Sequence, residues 1–449
     1  MDIMRHLHDE PVIARPPSAL YRLSRFTRRN RLAVAAGAIV AATLVIGLSV
    51  AAIGLVRARR AEALARQEAE TSRQVANFLT GLFKVSDPSE ARGNSVTARE
   101  ILDRGAARIG GDLAEQPLVQ AQLMHTMGIV YREMGLFSQA QPLLEQAIAT
   151  RRARVADNDP ALQASLLELA RLEQQQGRFA AAESLYRTTL AVRERTLGPN
   201  NPDLMVTLSA LGGMLVTRGR YPEAESLLTR AVALRAQNPA PDDADYARTL
   251  RHLASAYLAE GRYADAEPAF RRALAMYERV AGADHPDVGR ALNNLGIVYY
   301  GLKRYDEAEQ HYLRAEANLS RSLGEDHPNV ASININLGEI AWRRQRLPDA
   351  EMRLQRALAI LAKRVDPAHP SIATAEYDLA NVVRDAGRLA ESEPHYRKAL
   401  QIRETAFGRD APAVAEVLVE FARMLRLRNR AAEAEQLELR ARAIPAARP

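Results

Sequence analysis

Residues 119–444 repeat one pattern with a period of about 42 residues, and this period constrains the fold more than any other feature of the chain. Its clearest marker is a small residue followed by an acidic or amide residue, at Ala140-Gln141, Ala182-Glu183, Ala224-Glu225, Ala266-Glu267, Ala308-Glu309, Ala350-Glu351, Ser392-Glu393 and Ala434-Glu435. A unit of this length cannot bury its apolar face alone. The period therefore predicts equivalent units that stack into one continuous core.

The fifth copy shows why each unit is predicted to form two helices. Pro286 suits a first helical turn, where a missing N–H has no cost. Leu295 and Tyr299 follow at helical spacing, and a short turn leads into a second apolar series that begins at Tyr305. The predicted fold class is therefore all-α: an α-solenoid of about eight helix pairs over 119–444, preceded by a capping half-repeat at 95–118 and followed by a tail at 445–449.

The repeat motif resembles the tetratricopeptide repeat. It reads Leu-x-x-Leu-Gly-x-x-Tyr, then Gly-Arg-Tyr-x-x-Ala-Glu, then a further Ala. The usual period of that family is about 34 residues, and the longer loops here, such as LGEDHPNV at 323–330, resemble the kinesin-light-chain type. The resemblance implies a right-handed superhelix whose first helices line a concave groove. Lys303, Gln345 and Asn429 depart from the pattern where the family has a turn glycine.

An uncharged apolar run at 32–56 is predicted to be a single transmembrane helix. At about 1.5 Å per residue it would reach roughly 37 Å, enough to span a bilayer. A cleaved signal peptide is the alternative, but its apolar region is shorter, about 7–15 residues, and it follows a shorter basic segment. The segment at 1–31 and the helix and linker at 57–94 are then predicted to lie beside the membrane.

Arginines on either side of this run predict its orientation. Six lie before it, at positions 15–31, and five lie after it, at positions 57–73. The positive-inside bias therefore favours a cytoplasmic N-terminus, but by a single arginine. This would place the repeats outside a bacterial inner membrane. Ala33, Gly37 and Ala41 form a row that could pair two copies of the helix into a homodimer, unless they are ordinary small residues of a membrane helix.

Charge and composition exclude several function classes. The net charge of +7 is carried by residues 1–60, which hold ten arginines against three acidic residues. The neutral remainder has no broad positive field, so nucleic-acid binding is not expected. The chain has no cysteine and no HExxH, GxSxG or phosphate-loop motif. We therefore expect no enzymatic activity, cofactor or metal; His285, His327 and His369 lie in equivalent loops of successive repeats, too far apart to share an ion.

A second resemblance lies towards the N-terminus. Residues 4–36, 73–88 and 96–109 are similar to segments of bacterial serine/threonine protein kinases that carry C-terminal tetratricopeptide repeats. The glycine-rich loop and the VAIK, HRD, DFG and APE motifs of a kinase are missing. The alternative function is therefore that of a truncated transmembrane kinase involved in signalling, whose catalytic domain is missing from this chain.

The first helices of repeats four to six carry the candidate binding residues: Arg248, His252, Arg290, Asn293, Asn294 and Asn336. In the resembled family, asparagines at the positions of Asn294 and Asn336 bind peptide backbone, and basic residues one turn earlier hold carboxylates. Amides can both donate and accept, and guanidinium can bind a carboxylate through two hydrogen bonds. The prediction is a membrane-anchored protein-interaction module that binds partner peptides or loops. A cytoplasmic scaffold and a solvated polar wall without a ligand remain the alternatives.

Overall fold

The computed structural model describes residues 98–113, 115–238, 241 and 243–445. Of the first 97 residues it describes 4, 8, 23, 26–32, 35, 43–56, 58, 59, 62, 69, 73 and 76. The chain divides into two compact units, 1–127 and 128–449. Most of the predicted segments 1–31 and 57–94, the row Ala33, Gly37 and Ala41, and residues 446–449 lie outside the described residues.

The predicted transmembrane helix at 32–56 is wrong, and with it the predicted inner-membrane localisation. Among the residues that the structure describes, none of the helices combines the length and the apolarity needed to cross a bilayer.

The described part of the repeat region is all-α. A helix at Ala98–Asp112 (α1) precedes eight helix pairs: Pro117–Glu133 and Phe137–Arg152 (α2, α3), Pro160–Gln175 and Phe179–Leu197 (α4, α5), Met205–Thr217 and Tyr221–Gln237 (α6, α7), Ala244–Ala259 and Tyr263–Ala281 (α8, α9), Pro286–Gly301 and Tyr305–Leu323 (α10, α11), Pro328–Arg343 and Leu347–Arg364 (α12, α13), Pro370–Asp385 and Leu389–Phe407 (α14, α15), and Pro412–Leu427 and Ala431–Ala443 (α16, α17). One apolar core runs from Leu167 in α4 to Ile402 in α15. The prediction of an α-solenoid is confirmed.

The loop histidines begin first helices. The Nδ1 atoms of His285, His327 and His369 accept hydrogen bonds from the backbone N–H groups two residues later, at 3.2, 3.1 and 3.2 Å. Each histidine is followed by a proline at the first helical position, where proline is well tolerated. In the part of the chain that the structure describes, no three His, Asp or Glu side chains are grouped to hold a metal ion.

A left-handed turn residue joins the two helices of each pair. The turn glycines and the three departures from glycine, Lys303, Gln345 and Asn429, all have φ between 61° and 80°. Glycine adopts this conformation without strain, whereas a side chain with a Cβ costs about 1 kcal/mol there. The sequence departures therefore leave the turn geometry unchanged and add strain.

Replacing Lys303 or Gln345 with glycine is expected to raise the free energy of unfolding by about 0.5–1 kcal/mol each, because the turn strain is relieved. Thermal melts followed by circular dichroism measure this change. The reverse substitution in the preceding repeat, Gly261→Lys, is the control and should lower the melting temperature. A lower melting temperature for Lys303→Gly would contradict the assignment of strain.

Small residues on first helices allow close packing with large residues on second helices. A Cβ added at Gly212, Gly296 or Gly338 would lie 2.6, 2.4 or 2.8 Å from a side-chain carbon of Leu228, Tyr312 or Leu354, respectively. Real Cβ atoms do not come this close to other heavy atoms. The two helices of a pair therefore touch across these glycines, which explains why the repeat keeps small residues at this position.

A ladder of arginine–carboxylate pairs connects successive repeats along their second helices. The arginine that precedes each second helix pairs with a glutamate of the preceding second helix: Arg220–Glu183 at 2.8 Å, Arg262–Glu225 at 2.8 Å, Arg304–Glu267 at 3.0 Å, Arg346–Glu309 at 2.6 Å, Arg388–Glu351 at 2.6 Å and Arg430–Glu393 at 2.7 Å. At the N-terminal end, Arg178 donates to the neutral Gln141 at 2.9 Å instead. These pairs are half-exposed, so each contributes little alone, and their main effect is to fix the register of neighbouring repeats.

First and second helices differ in their neighbours. From α4 onwards, each first helix contacts the first helix of the next pair. Among the described residues of 128–449, the backbones of successive second helices do not come within 8 Å of each other, and long side chains such as those of Arg187 and Glu223 join them instead. First helices therefore form the inner wall of the stack in this unit, and their exposed side chains are the ones that share a surface.

Candidate functional site

A groove of about 520 Å³ lies along the first helices of repeats one to five. Its lining is rich in charge: Arg132, Arg171, Arg248, Arg251 and Arg290, with Glu133, Asp245, Asp287 and the imidazole of His252. Three of the six residues predicted from the sequence, Arg248, His252 and Arg290, thus line one cavity. The inner-wall position of the first helices is what brings side chains from several repeats together.

The two arginines predicted to hold carboxylates are already paired within their own helices. Arg248 Nη1 lies 2.8 Å from Asp245 Oδ1, and Arg290 Nη2 lies 2.6 Å from Asp287 Oδ1. Each acidic residue stands three positions before its arginine, which is the spacing that places them side by side on a helix. A ligand carboxylate at either position would therefore compete with an internal one.

The arginines at the N-terminal end of the groove are also neutralised. Arg132 and Arg171 converge on Glu168, with N–O distances of 3.1 and 2.5 Å. Arg132 is 6% exposed, and its side chain also pairs with Glu133 at 2.7 Å. This end of the groove is a closed ion-pair network and offers little charge to a ligand.

Arg251 differs from the other arginines of the groove. Among the residues that the structure describes, no carboxylate lies at ion-pairing distance from its guanidinium, and its buried Nε has no hydrogen-bond partner. Its Nη2 lies 2.8 Å from Nε2 of His252. Arg251 therefore presents a fixed positive charge without an internal counter-ion.

His252 holds Arg251 in place as a neutral imidazole. A guanidinium can only donate, so Nε2 of His252 must accept from Arg251. The imidazole proton is then on Nδ1, which donates to the backbone carbonyl of Ser209 in the preceding repeat at 3.2 Å. Burial, with the nearby charge of Arg251 adding to it, lowers the pKa of His252 to about 3. The ring fits only because Gly213 has no side chain, since a Cβ there would lie 2.4 Å from it.

The predicted asparagines lie further along the inner wall. Asn336 Nδ2 donates to Asn293 Oδ1 at 3.1 Å, and this bond joins the first helices of repeats five and six. Asn293, Asn294 and Asn336 are all half-buried, and none of them lines the groove of repeats one to five. They continue the row of Arg251 and His252 by one and two repeat periods.

Sequence reasoning missed Arg251, although a local signal existed. Arg248 and Arg290 each have an acidic residue three positions earlier, whereas the positions three and four residues away from Arg251 are Arg248, Ala247, Ala254 and Ser255. An arginine without an acidic neighbour on its own helix needs a partner from elsewhere, and the sequence alone does not show whether a neighbouring repeat supplies one.

Comparison with known families finds one description throughout the repeat region. The sequence model described as "Tetratricopeptide repeat" matches residues 162–237, 245–320, 301–363 and 371–446. Two further models with the same description match 210–278 and 120–161. No curated protein matches the sequence. None of these family matches is to a protein kinase, and the resemblance to kinases is not shown.

Several solved structures share the architecture at low sequence identity. The apo form of the quorum sensor NprR from B. thuringiensis is 12% identical, covers 84% of this chain and 99% of its own, and superposes with a TM-score of 0.57. The apo form of RapI is 14% identical, with coverages of 72% and 97% and a TM-score of 0.53. A putative kinesin light chain from Podosopora anserina with nearly identical TPR-like repeats is 21% identical over 45% of this chain and 96% of its own, with a TM-score of 0.40.

Proposed function

Because this chain belongs to the tetratricopeptide-repeat family, we propose that it is a protein-interaction module that holds an extended segment of a partner polypeptide along its first helices. The segment lies on the inner wall from repeat four to repeat six, over Arg251, His252, Asn293, Asn294 and Asn336. We expect binding without catalysis, because the described side chains of this row offer hydrogen bonds and charge and include no nucleophile beside a base.

The observation that carries this proposal is the row of side chains at one register on successive first helices. Among the described residues Arg251 has no counter-ion, and the amides of the next two repeats follow it along the same wall. An asparagine side chain can donate to a peptide carbonyl and accept from a peptide N–H. A polar wall that recurs once in every repeat therefore suits an extended backbone, whose own polar groups also repeat at regular intervals.

The test is selection of binding peptides on the full-length chain from a randomised twelve-residue phage library. An enriched peptide, labelled for fluorescence anisotropy, should bind the variant Asn293→Ala/Asn294→Ala/Asn336→Ala at least about tenfold more weakly, because two or more hydrogen bonds are lost. The matched control is Leu313→Ala/Met352→Ala, which removes exposed side chains from second helices and should leave affinity unchanged.

Two outcomes would contradict the proposal. Failure to enrich any peptide would argue against a groove for extended segments. Equal weakening by the second-helix control would place binding away from the inner wall. Circular dichroism of each variant confirms that the helices are intact.

A further inference from the structure

The charged side chains on the first helices of repeats four to seven are almost all neutralised internally. The ion pairs on α8, α10, α12 and α14 include Asp245–Arg248, Asp287–Arg290, Glu339–Arg343, Glu376–Lys398, Arg384–Asp385 and Arg384–Glu420. Within 243–445, a range that the structure describes throughout, two charged residues of these helices have no ion pair: Arg251 and Asp378. One is a cation and the other an acid, and they lie on the same wall.

The second of these residues, Asp378, is a buried acid, and a buried acid usually has an ion-pair or hydrogen-bond partner. It is 7% exposed, and no hydrogen bond or ion pair to its carboxyl group is found among the described residues. The charges that face it come from three neighbouring helices: Glu339 and Arg343 of α12, Arg403 of α15 and Glu416 of α16. Burial, reinforced by Glu339, raises the pKa of Asp378 to about 8. An unpaired buried acid of this kind gains most from a cationic partner.

Arg251 and Asp378 lie at nearly equivalent positions on first helices that are three repeats apart. Asp378 occupies the register of His252, the residue after Arg251, and Asn294 and Asn336 occupy that register in the two repeats between. Neighbouring helices pack about 8–10 Å apart, so three steps cover about 24–30 Å. An extended chain advances about 3.3–3.6 Å per residue, so about eight residues bridge the distance.

We infer that the partner segment carries an acidic residue that pairs with Arg251 and a lysine or arginine, about eight residues away, that pairs with Asp378. This inference rests on the proposed function and adds the ligand's charge pattern. The amides of Asn294 and Asn336 then face the uncharged part of the segment between the two charges. When the cationic side chain binds, the carboxyl proton of Asp378 passes to solvent and the ion pair forms.

The experiment compares peptides selected from the same library on three forms of the full-length chain: wild type, Arg251→Gln and Asp378→Asn. Peptides enriched on the wild type should carry Asp or Glu and Lys or Arg about eight positions apart. Selection on Arg251→Gln should lose the acidic preference alone, and selection on Asp378→Asn the basic preference alone. Asp378→Asn preserves the size of the side chain, and Arg251→Gln shortens a polar side chain of the groove, so we expect the fold to be retained; circular dichroism checks it.

A titration gives an independent readout. The affinity of an enriched peptide for the wild type should rise by at least about tenfold from pH 6 to pH 9, because Asp378 no longer has to lose a proton on binding. The same peptide should bind Asp378→Asn with little pH dependence. Enriched peptides without the spaced charges, or with charges unchanged by both substitutions, would overturn this inference alone. A library that yields no enriched peptide would instead overturn the proposed function.

Discussion

Replacing Gly296 with leucine is expected to lower the stability of the repeat array by about 3 kcal/mol, because the core cannot accept a side chain there. A Cβ at this position would lie 2.4 Å from Cε1 of Tyr312, whose side chain is 2% exposed. The ring belongs to the other helix of the same pair and cannot move without opening that pair. Since repeat five contacts a neighbour on each side, both interfaces weaken together.

Urea denaturation followed by circular dichroism measures this loss. The matched control is Gly110→Leu, at another helical glycine that is exposed and has no heavy atom within 4 Å of its added Cβ. That variant should be as stable as the wild type or slightly more stable, because leucine favours a helix over glycine by up to about 1 kcal/mol. Similar destabilisation by both variants would show that the loss does not come from the contact with Tyr312.

Replacing Asp378 with asparagine is expected to stabilise the folded chain at pH 8 by up to about 5 kcal/mol, although the carboxyl group is lost. The pKa of this buried acid is raised to about 8 in the folded state, whereas an unfolded chain gives an aspartate its ordinary pKa near 3.9. The folded state therefore binds the proton more tightly. The carboxyl group of Asp378 therefore lowers the free energy of unfolding progressively as the pH rises from about 4 to about 8.

Thermal melts at pH 3 and pH 8 test the sign as well as the size of this effect. At pH 3 the carboxyl is protonated in both states, so Asp378→Asn should melt with the wild type, and the gain should appear only at the higher pH. Asp410→Asn, at an exposed position, is the control and should change neither melt. Destabilisation at pH 8 would mean that the carboxylate is ionised and stabilised in the fold.

The repeat architecture could be predicted from the sequence because one period sets the small residues, the turn and the capping positions together. Even the departures at Lys303 and Gln345 keep the left-handed turn. The membrane span was predicted from the length and the apolarity of the run at 32–56, whereas none of the described helices has the required length and apolarity together.

The site was only partly predictable, because a charged side chain can be paired both from its own helix and from a neighbouring repeat. Arg248 and Arg290 were chosen for their charge, but Asp245 and Asp287 neutralise them from the preceding helical turn. Arg251 and Asp378 matter because neither has an ion-pair partner among the described residues, and that property depends on side chains that lie about one repeat away in sequence. Motif reading identifies what a residue can do, and the packing of the next repeat decides whether it is free to do it.

At the N-terminal end of the arginine ladder the acceptor is the neutral Gln141, and this has a consequence for the order in which the repeats unfold. Gln141 gives Arg178 a hydrogen-bond acceptor without a full negative charge, whereas the later rungs have a glutamate at that place. Hydrogen bonds between neutral and charged partners are weaker than those between two charged ones. Amide protons of α3 should then exchange with deuterium sooner than those of the equivalent second helices α7, α9, α11 and α13. Unfolding should begin at α3 and advance one helix pair at a time.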